Sequence, residues 1–323
     1  MRLFKNANFQ FIKNRKIAYV IAIIMLLISV GGLIFKGLNW SIDFTGGIAA
    51  TLNMMPKSES VPPLAIDKLR SVMSDNGFDD AEIQFVGPES NAIFQLKMKS
   101  TKDLEDTKAE LAEIVSRELQ EYTAGRDIES EVIMEVNTVG QKAGSEMRAN
   151  SILAVVIALI LMIIYIWIRF EFTFGLMAIL ALAFDVIFIL GVFALTGKEV
   201  TMQIIAALLT IVGYCINDTI VVFDRIREDL KIYRKDPVKE VFNRAINTTL
   251  SRTILTAGTT LITALSLYFF GGAVLHDFAL AISLGIIVGT LGSIFLASGM
   301  VVDTYKVAAV EEKKAVQKLT RKK

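Results

Sequence analysis

Six apolar runs constrain this chain more than any other feature: residues 17–35, 151–168, 175–196, 201–223, 253–271 and 278–302. Crossing a bilayer takes about 20 mostly apolar residues, so each run is read as a transmembrane helix. With 53% of its residues hydrophobic, the chain is no ordinary soluble domain, and its 21% of charged residues must be gathered elsewhere. Residues 1–16 carry Arg2, Lys5, Lys13, Arg15 and Lys16 without an acid, ahead of the first run. That order resembles a secretory signal. The run is long enough to span, however, and no A-x-A cleavage site follows, so residues 17–36 are read as an uncleaved first helix.

Residues 37–148 differ completely. They hold 20 acids against 11 bases and no run of spanning length. Short β-branched or alternating segments (48–54, 81–86, 92–98, 128–136) flank two helical patterns. One helical pattern opens at Pro62-Pro63 and ends at Asn76-Gly77, a C-cap signal; the other covers 104–119. The order βαββαβ is that of a ferredoxin-like α+β domain. The chain therefore reads as a polytopic α-helical membrane protein with six transmembrane helices and one extracytoplasmic ferredoxin-like domain.

Charge sets the topology. The loop 224–249 and the tail 303–323 are rich in Lys and Arg, on the side of residues 1–16, which places both termini and this loop in the cytoplasm. Residues 149–302 hold helices two to six. Apolar spacing within 224–247 (Ile226, Leu230, Val238, Val241, Phe242, Ile246) suits an amphipathic helix on the membrane surface; a solvated linker helix is the plainer account.

Within the fourth run, Gly213-Tyr214-Cys215-Ile216-Asn217-Asp218 sets a carboxylate at membrane depth. Such a group costs roughly 2.5 kcal/mol or more there, so it is paired, protonated or functional. Arg252 opens the next run, at a similar depth. An acid beside a guanidinium can take and release a proton as the cation moves; a static pair pinning two helices, with Arg252 snorkelling, is the competing account. Asp185 is a second intramembrane acid, read as a carboxyl bonded to a neighbouring helix. Gln203, Thr210 and Asn217 recur every seven residues as one polar stripe, able to line a water path or to join helices. Gly285, Gly289 and Gly292 point to close packing. Asp43-Phe44-Thr45-Gly46-Gly47 reads as a rigid turn entering the soluble domain. One cysteine (Cys215) and one histidine (His276) argue against a disulfide within the chain, a Cys/His metal site and a histidine triad. Without a G-x-x-x-x-G-K-[ST] loop, any energy input comes from a gradient or a partner. No enzyme chemistry, cofactor, metal or nucleic-acid site is read here.

These motifs resemble the SecD/SecF family of protein-export membrane subunits, within the resistance–nodulation–division superfamily. The resemblance rests on Asp43-Phe44-Thr45-Gly46-Gly47, on Gly213 to Val222 followed by Asp224-Arg225-Ile226-Arg227-Glu228, and on Ser251-Arg252-Thr253 with Thr256. Arg169-Phe170-Glu171 and Phe184-Asp185-Val186 fit as well. Gln141 stands after Val139-Gly140 where the family has proline, and Cys215 where many members have serine. The likeness covers essentially the whole chain. It implies a SecF-like subunit of a bacterial cytoplasmic membrane that pairs with SecD, associates with the SecYEG channel and its accessory subunits, and uses the proton-motive force to promote preprotein export. Asp218 and Arg252 would then be the proton-coupling pair. Two other classes remain: half of a proton-driven lipid or small-molecule exporter, and a structural scaffold whose charged pair only locks helices.

Overall fold

The structure, a computed structural model, describes residues 8–56, 61–79, 81–99 and 104–305. Arg2, Lys5 and the basic segment after Tyr305 lie outside the described residues. Six helices are long and apolar enough to cross a membrane. They are α1 (Phe11–Phe35) and, after the soluble domain, α6 (Gln141–Arg169), α7 (Phe172–Thr196), α8 (Met202–Ile232), α9 (Val238–Phe270) and a sixth over Leu275–Tyr305. The sixth begins as α10 (Gly272–Leu291) and passes through a π-helical segment, Gly292–Ala297.

Between α1 and α6 come β1 (Asn39–Trp40), the short α2 (Ile42–Thr45), β2 (Gly47–Asn53) and α3 (Ile66–Asp75). Next come β3 (Glu82–Phe85), β4 (Ile93–Met98), α4 (Leu104–Glu118), α5 (Gln120–Thr123) and β5 (Ile133–Val139). The sheet runs β3-β4-β2-β5 with every neighbouring pair antiparallel. Strand alternation turns Ala50 and Leu52 of β2 and Phe94, Leu96 and Met98 of β4 onto Leu69 and Met73 of α3 and Leu111 and Val115 of α4. α3 ends where the sequence signals it: Gly77 adopts φ +89°, and Phe78 N donates to Met73 O at 2.9 Å, closing a Schellman motif.

Two expected elements differ. The basic segment 224–249 forms no separate surface helix. α8 and α9 run on beyond the apolar spans and leave only Tyr233–Pro237 between them. The reason is packing: Ile226, Phe242 and Ile246 are buried with Ile12 and Phe170 inside the bundle, so the apolar stripe serves helix on helix. Segment 128–136 is not one strand. Its start, Ile128–Val132, is a π-helical turn in which the Asp127 carboxylate accepts from Glu129 N, and the strand begins at Ile133.

α8 and the sixth helix form the middle of the bundle, whereas α1, α6 and α9 expose most of their apolar surface. Glycines allow the closest approach. A Cβ on Gly285 would stand 2.6 Å from the Ile211 side chain, one on Gly289 would collide with Cys215 Sγ, and one on Gly292 would lie 3.1 Å from Asp185 Oδ1.

The soluble domain is fastened to the bundle through the Asp43–Gly47 motif. β1 pairs parallel with β6 (Glu199–Val200), which precedes α8. Phe44 plugs into the membrane-side core beside Trp40. Gly46, at φ +77°, lies flat against α6: an added Cβ would stand 2.7 Å from Gln141 Cα. Gly144 of α6 meets the same backbone, its Cβ position 2.8 Å from Gly46 N. Gln141 is the first residue of α6, a position where proline is favoured because its N–H has no partner within the helix.

Gly37 also has a left-handed φ, +72°, with nothing within 4 Å. Gly37→Ala should cost roughly 1 kcal/mol through backbone conformation alone. Gly46→Ala should add roughly 1–3 kcal/mol for pressing a methyl into α6. Thermal unfolding of the purified chain in detergent checks this order; equal losses would rule out the close approach.

Candidate functional site

Asp218 sits on α8 halfway into its bundle-facing side. Thr253 Oγ1 of α9 donates to its Oδ1 at 2.7 Å, and Ser293 Oγ of the π-helical segment donates to Oδ2 at 2.9 Å. Both hydroxyl residues are buried. Hydroxyls suit this place because each can donate to a carboxylate or accept from a carboxylic acid. Ser293 has a second acceptor: its Oγ lies 3.0 Å from Thr290 O within its own helix. A single O–H serves one acceptor fully at a time.

Arg252 does not touch Asp218. It forms no ion pair within 4 Å among the described residues, is exposed, and acts on the acid only through space. Successive residues on a helix point about 100° apart, so turning Thr253 onto Asp218 turns Arg252 outward. The structure thus brings Asp218 and Arg252 to one level without joining them. Sequence reading passed over Thr253 and Ser293 as ligands of the acid.

Asp185 of α7 is 2% exposed, contacts Cys215, and its Oδ1 has no hydrogen-bond partner among the described residues. It lies against Gly289 and Gly292, one residue from Ser293 but outside the Asp218 contacts. Gln203, Thr210 and Asn217 do form one stripe, and it faces out of the bundle: all three are exposed. Thr256, Thr259 and Thr263 are exposed on α9 as well, their hydroxyls bonded back to main-chain carbonyls of their own helix.

On the domain side, a charged cluster closes over the start of α8. Lys97 Nζ of β4 lies 3.2 Å from Glu199 and 3.6 Å from Glu82 of β3, and Lys198 Nζ is 2.5 Å from Asp277. Asp43 Oδ2 accepts from Met202 N at 3.2 Å, capping α8. Asp43, Glu82, Lys97, Glu199, Asp277 and Gln203 line a cavity of about 320 Å³. Burial pushes the Glu82 carboxyl up to about 8, and the Glu199 carboxylate beside it acts in the same direction. Burial opposes the Lys97 ammonium, but Glu199 and Glu82 outweigh it and hold its pKa above the ordinary value.

At the opposite face, motif residues meet again. Arg169 pairs with Asp224 at 2.6 Å, and Phe170 is buried against Phe223 under Arg227. The Arg15 guanidinium forks onto Asp303 (2.8 and 2.6 Å), tying α1 to the end of the sixth helix.

Fold and site together define a six-span membrane protein that carries one α+β domain and holds a carboxylate between hydroxyls inside its helices. Comparison with known proteins narrows the class. The family described as "Protein export membrane protein SecD/SecF, C-terminal" matches residues 119–307, and the "SecD/SecF GG Motif" matches 31–52. The chain belongs to the SecD/SecF family. It is 39% identical over 295 residues to protein translocase subunit SecF of Desulfurispirillum indicum, covering 90% of each. To SecF of Rhodothermus marinus it is 36% identical over 321 residues, 98% of this chain and 99% of that protein. Protein translocase subunit SecDF of Thermus thermophilus is 43% identical over 288 residues, and the chain spans 37% of that longer protein. The crystal structure of SecDF from Thermus superposes with a TM-score of 0.79 at 40% identity, covering 95% of this chain and 40% of that one.

Glu82 gives a pH test of the joint. Its folded pKa, about 8, lies above its ordinary 4.5, so its contribution to docking is full below pH 4.5 and lost as pH rises through 8. Exchange protection of β3 and β6 should fall as pH rises from about 4.5 to about 8 and level off above it, and Glu82→Gln should flatten that fall. An unchanged slope in the variant would remove Glu82 from the joint.

Proposed function

We propose that this chain is a SecF-type translocase subunit of a bacterial cytoplasmic membrane. It works with a SecD partner, beside the SecYEG channel, to promote preprotein translocation at the expense of the proton-motive force. It acts as a transport component and not as an enzyme. In this reading residues 1–16, the Tyr233–Pro237 turn and residues 303–323 are cytoplasmic, and the α+β domain of residues 37–148 is extracytoplasmic.

The observation that carries the proposal is the setting of Asp218. A carboxylate in the bundle, bonded to two hydroxyls from different helices and with no cation in contact among the described residues, is set up for reversible protonation rather than for locking a salt bridge. Charged, it accepts from both Thr253 and Ser293. Protonated, it needs fewer donors, and Ser293 is free to turn its O–H to Thr290 O. That carbonyl adjoins the π-helical segment, a helix form that tolerates local shifts of register, so the proton on Asp218 reaches the packing of the sixth helix. Arg252, at the same level but facing outward, supplies the mobile positive charge. The outward stripe of Gln203, Thr210 and Asn217, with the α9 threonines, supports a partner: polar groups in hydrocarbon are best covered by another helix. Asp185 serves this site through packing.

Asp218→Asn should abolish proton-dependent export in cells while the subunit accumulates and binds SecD normally. Normal export would make the acid structural. Ser293→Ala should assemble normally and lower proton-dependent export by roughly tenfold, the equivalent of one charge-assisted hydrogen bond; wild-type export would remove Ser293 from the coupling.

A further inference from the structure

The face opposite the soluble domain carries a large cleft, and Arg252 is one of the basic residues on its wall. It lies between the first turns of α1 and the first half of α9, with a volume of about 1450 Å³. Its wall on α9 runs from Lys239 to Thr256, about 25 Å along the helix axis. The floor is stapled: Asn247 exchanges two hydrogen bonds of 2.9 Å with the main chain of Phe9, and Asn243 Oδ1 accepts from Ile12 N. The cleft is therefore built by the contact of two helices and is not a gap in loose packing.

Its lining is strongly one-signed. Six basic side chains face one acid, Glu240. Two of the six are spoken for, Arg15 by Asp303 and Arg244 by Asp236. Lys13, Lys16 and Lys239 are exposed and have no ion pair among the described residues. Lys13 and Lys16 share one face of α1, a turn apart, across from Lys239 on α9. Lys13 and Lys16 stand at the edge of the apolar run of α1, which begins at Ile17. At the far end of the α9 wall the lining includes one apolar side chain, Leu255, which is 40% exposed, and Ile17 and Ile254, next in sequence to lining residues, are exposed as well.

We infer that this cleft binds the headgroup of an anionic phospholipid, its phosphate among Lys13, Lys16 and Lys239 and an acyl chain running past Leu255. A concave basic site between transmembrane helices matches this ligand in charge and in shape. Leu255 and the exposed Ile17 and Ile254 beside the cleft favour a lipid over free phosphate, which would use only the lysines. Lysines spread along a membrane boundary snorkel individually and select no lipid; here three converge from two helices on one cavity. Arg252 lines the cleft too, so the test leaves it unchanged and reads lipid retention, not export; either proposal can then fail alone.

The test is native mass spectrometry of the full chain, alone and with SecD, released from nanodiscs of equal phosphatidylglycerol and phosphatidylcholine. The wild type should retain phosphatidylglycerol selectively. The triple variant Lys13→Ala, Lys16→Ala, Lys239→Ala should lose that retention by roughly tenfold or more. The matching triple lysine-to-arginine variant should keep it, and so should a control with Lys231, Arg234 and Lys235 changed to alanine. Equal loss in the control, no loss in the triple variant, or displacement of the lipid by millimolar inorganic phosphate would each overturn the assignment. Failure of the complex to retain the lipid would overturn it as well, by showing that SecD fills the cleft.

Discussion

A carboxylate inside a membrane bundle must have its hydrogen bonds supplied by the protein, and in this chain that demand shapes the middle of the molecule. Asp218 takes donors from α9 and from the sixth helix. Both helices must therefore pack tightly on α8. The glycines of α10 make this possible by letting Ile211 and Cys215 approach where a methyl would collide. The π-helical segment then sets Ser293 toward the acid. A carboxylate met by hydroxyls rather than by a guanidinium keeps both protonation states accessible, because hydroxyls reverse the direction of a hydrogen bond and guanidinium groups do not.

The joint to the soluble domain answers a different demand. A domain inserted between two spans needs a stiff connection if its motion is to follow the helices. Gly46 and Gly47 adopt conformations that other residues avoid; the missing side chain of Gly46 lets α6 lie directly against the backbone, and that of Gly47 leaves room for Met98 O of β4 and for Ile42. Phe44 anchors this turn in the membrane-side core, Asp43 caps α8, and Lys97 bridges the sheet to Glu199. The motif therefore links the first span, the domain and the helix that carries Asp218. The helix that carries Asp218 thus meets the domain-side motif at its own start, through Asp43.

Much of this was legible from residues alone. The six apolar runs, the β-α-β-β-α-β order and the Gly77 cap follow from local rules of hydropathy, periodicity and backbone freedom. The errors arose where local pattern and packing disagree. The stripe of Ile226, Phe242 and Ile246 looks the same whether it faces a membrane surface or a neighbouring helix, and only the neighbours decide. Residues 128–132 alternate like a strand, yet the Asp127 side chain draws their backbone into a turn.

By itself the sequence determined the spans, the soluble insertion and the presence of a costly acid in the fourth helix, because each depends on composition within one segment. Only the tertiary structure decided what that acid touches. Thr253 lies 35 residues from Asp218 and Ser293 lies 75, and no local rule links such positions. It also decided against contact with Arg252. Thr253 and Arg252 are neighbours in the chain, and helical geometry turns them to different faces, so burying the hydroxyl sends the guanidinium outward.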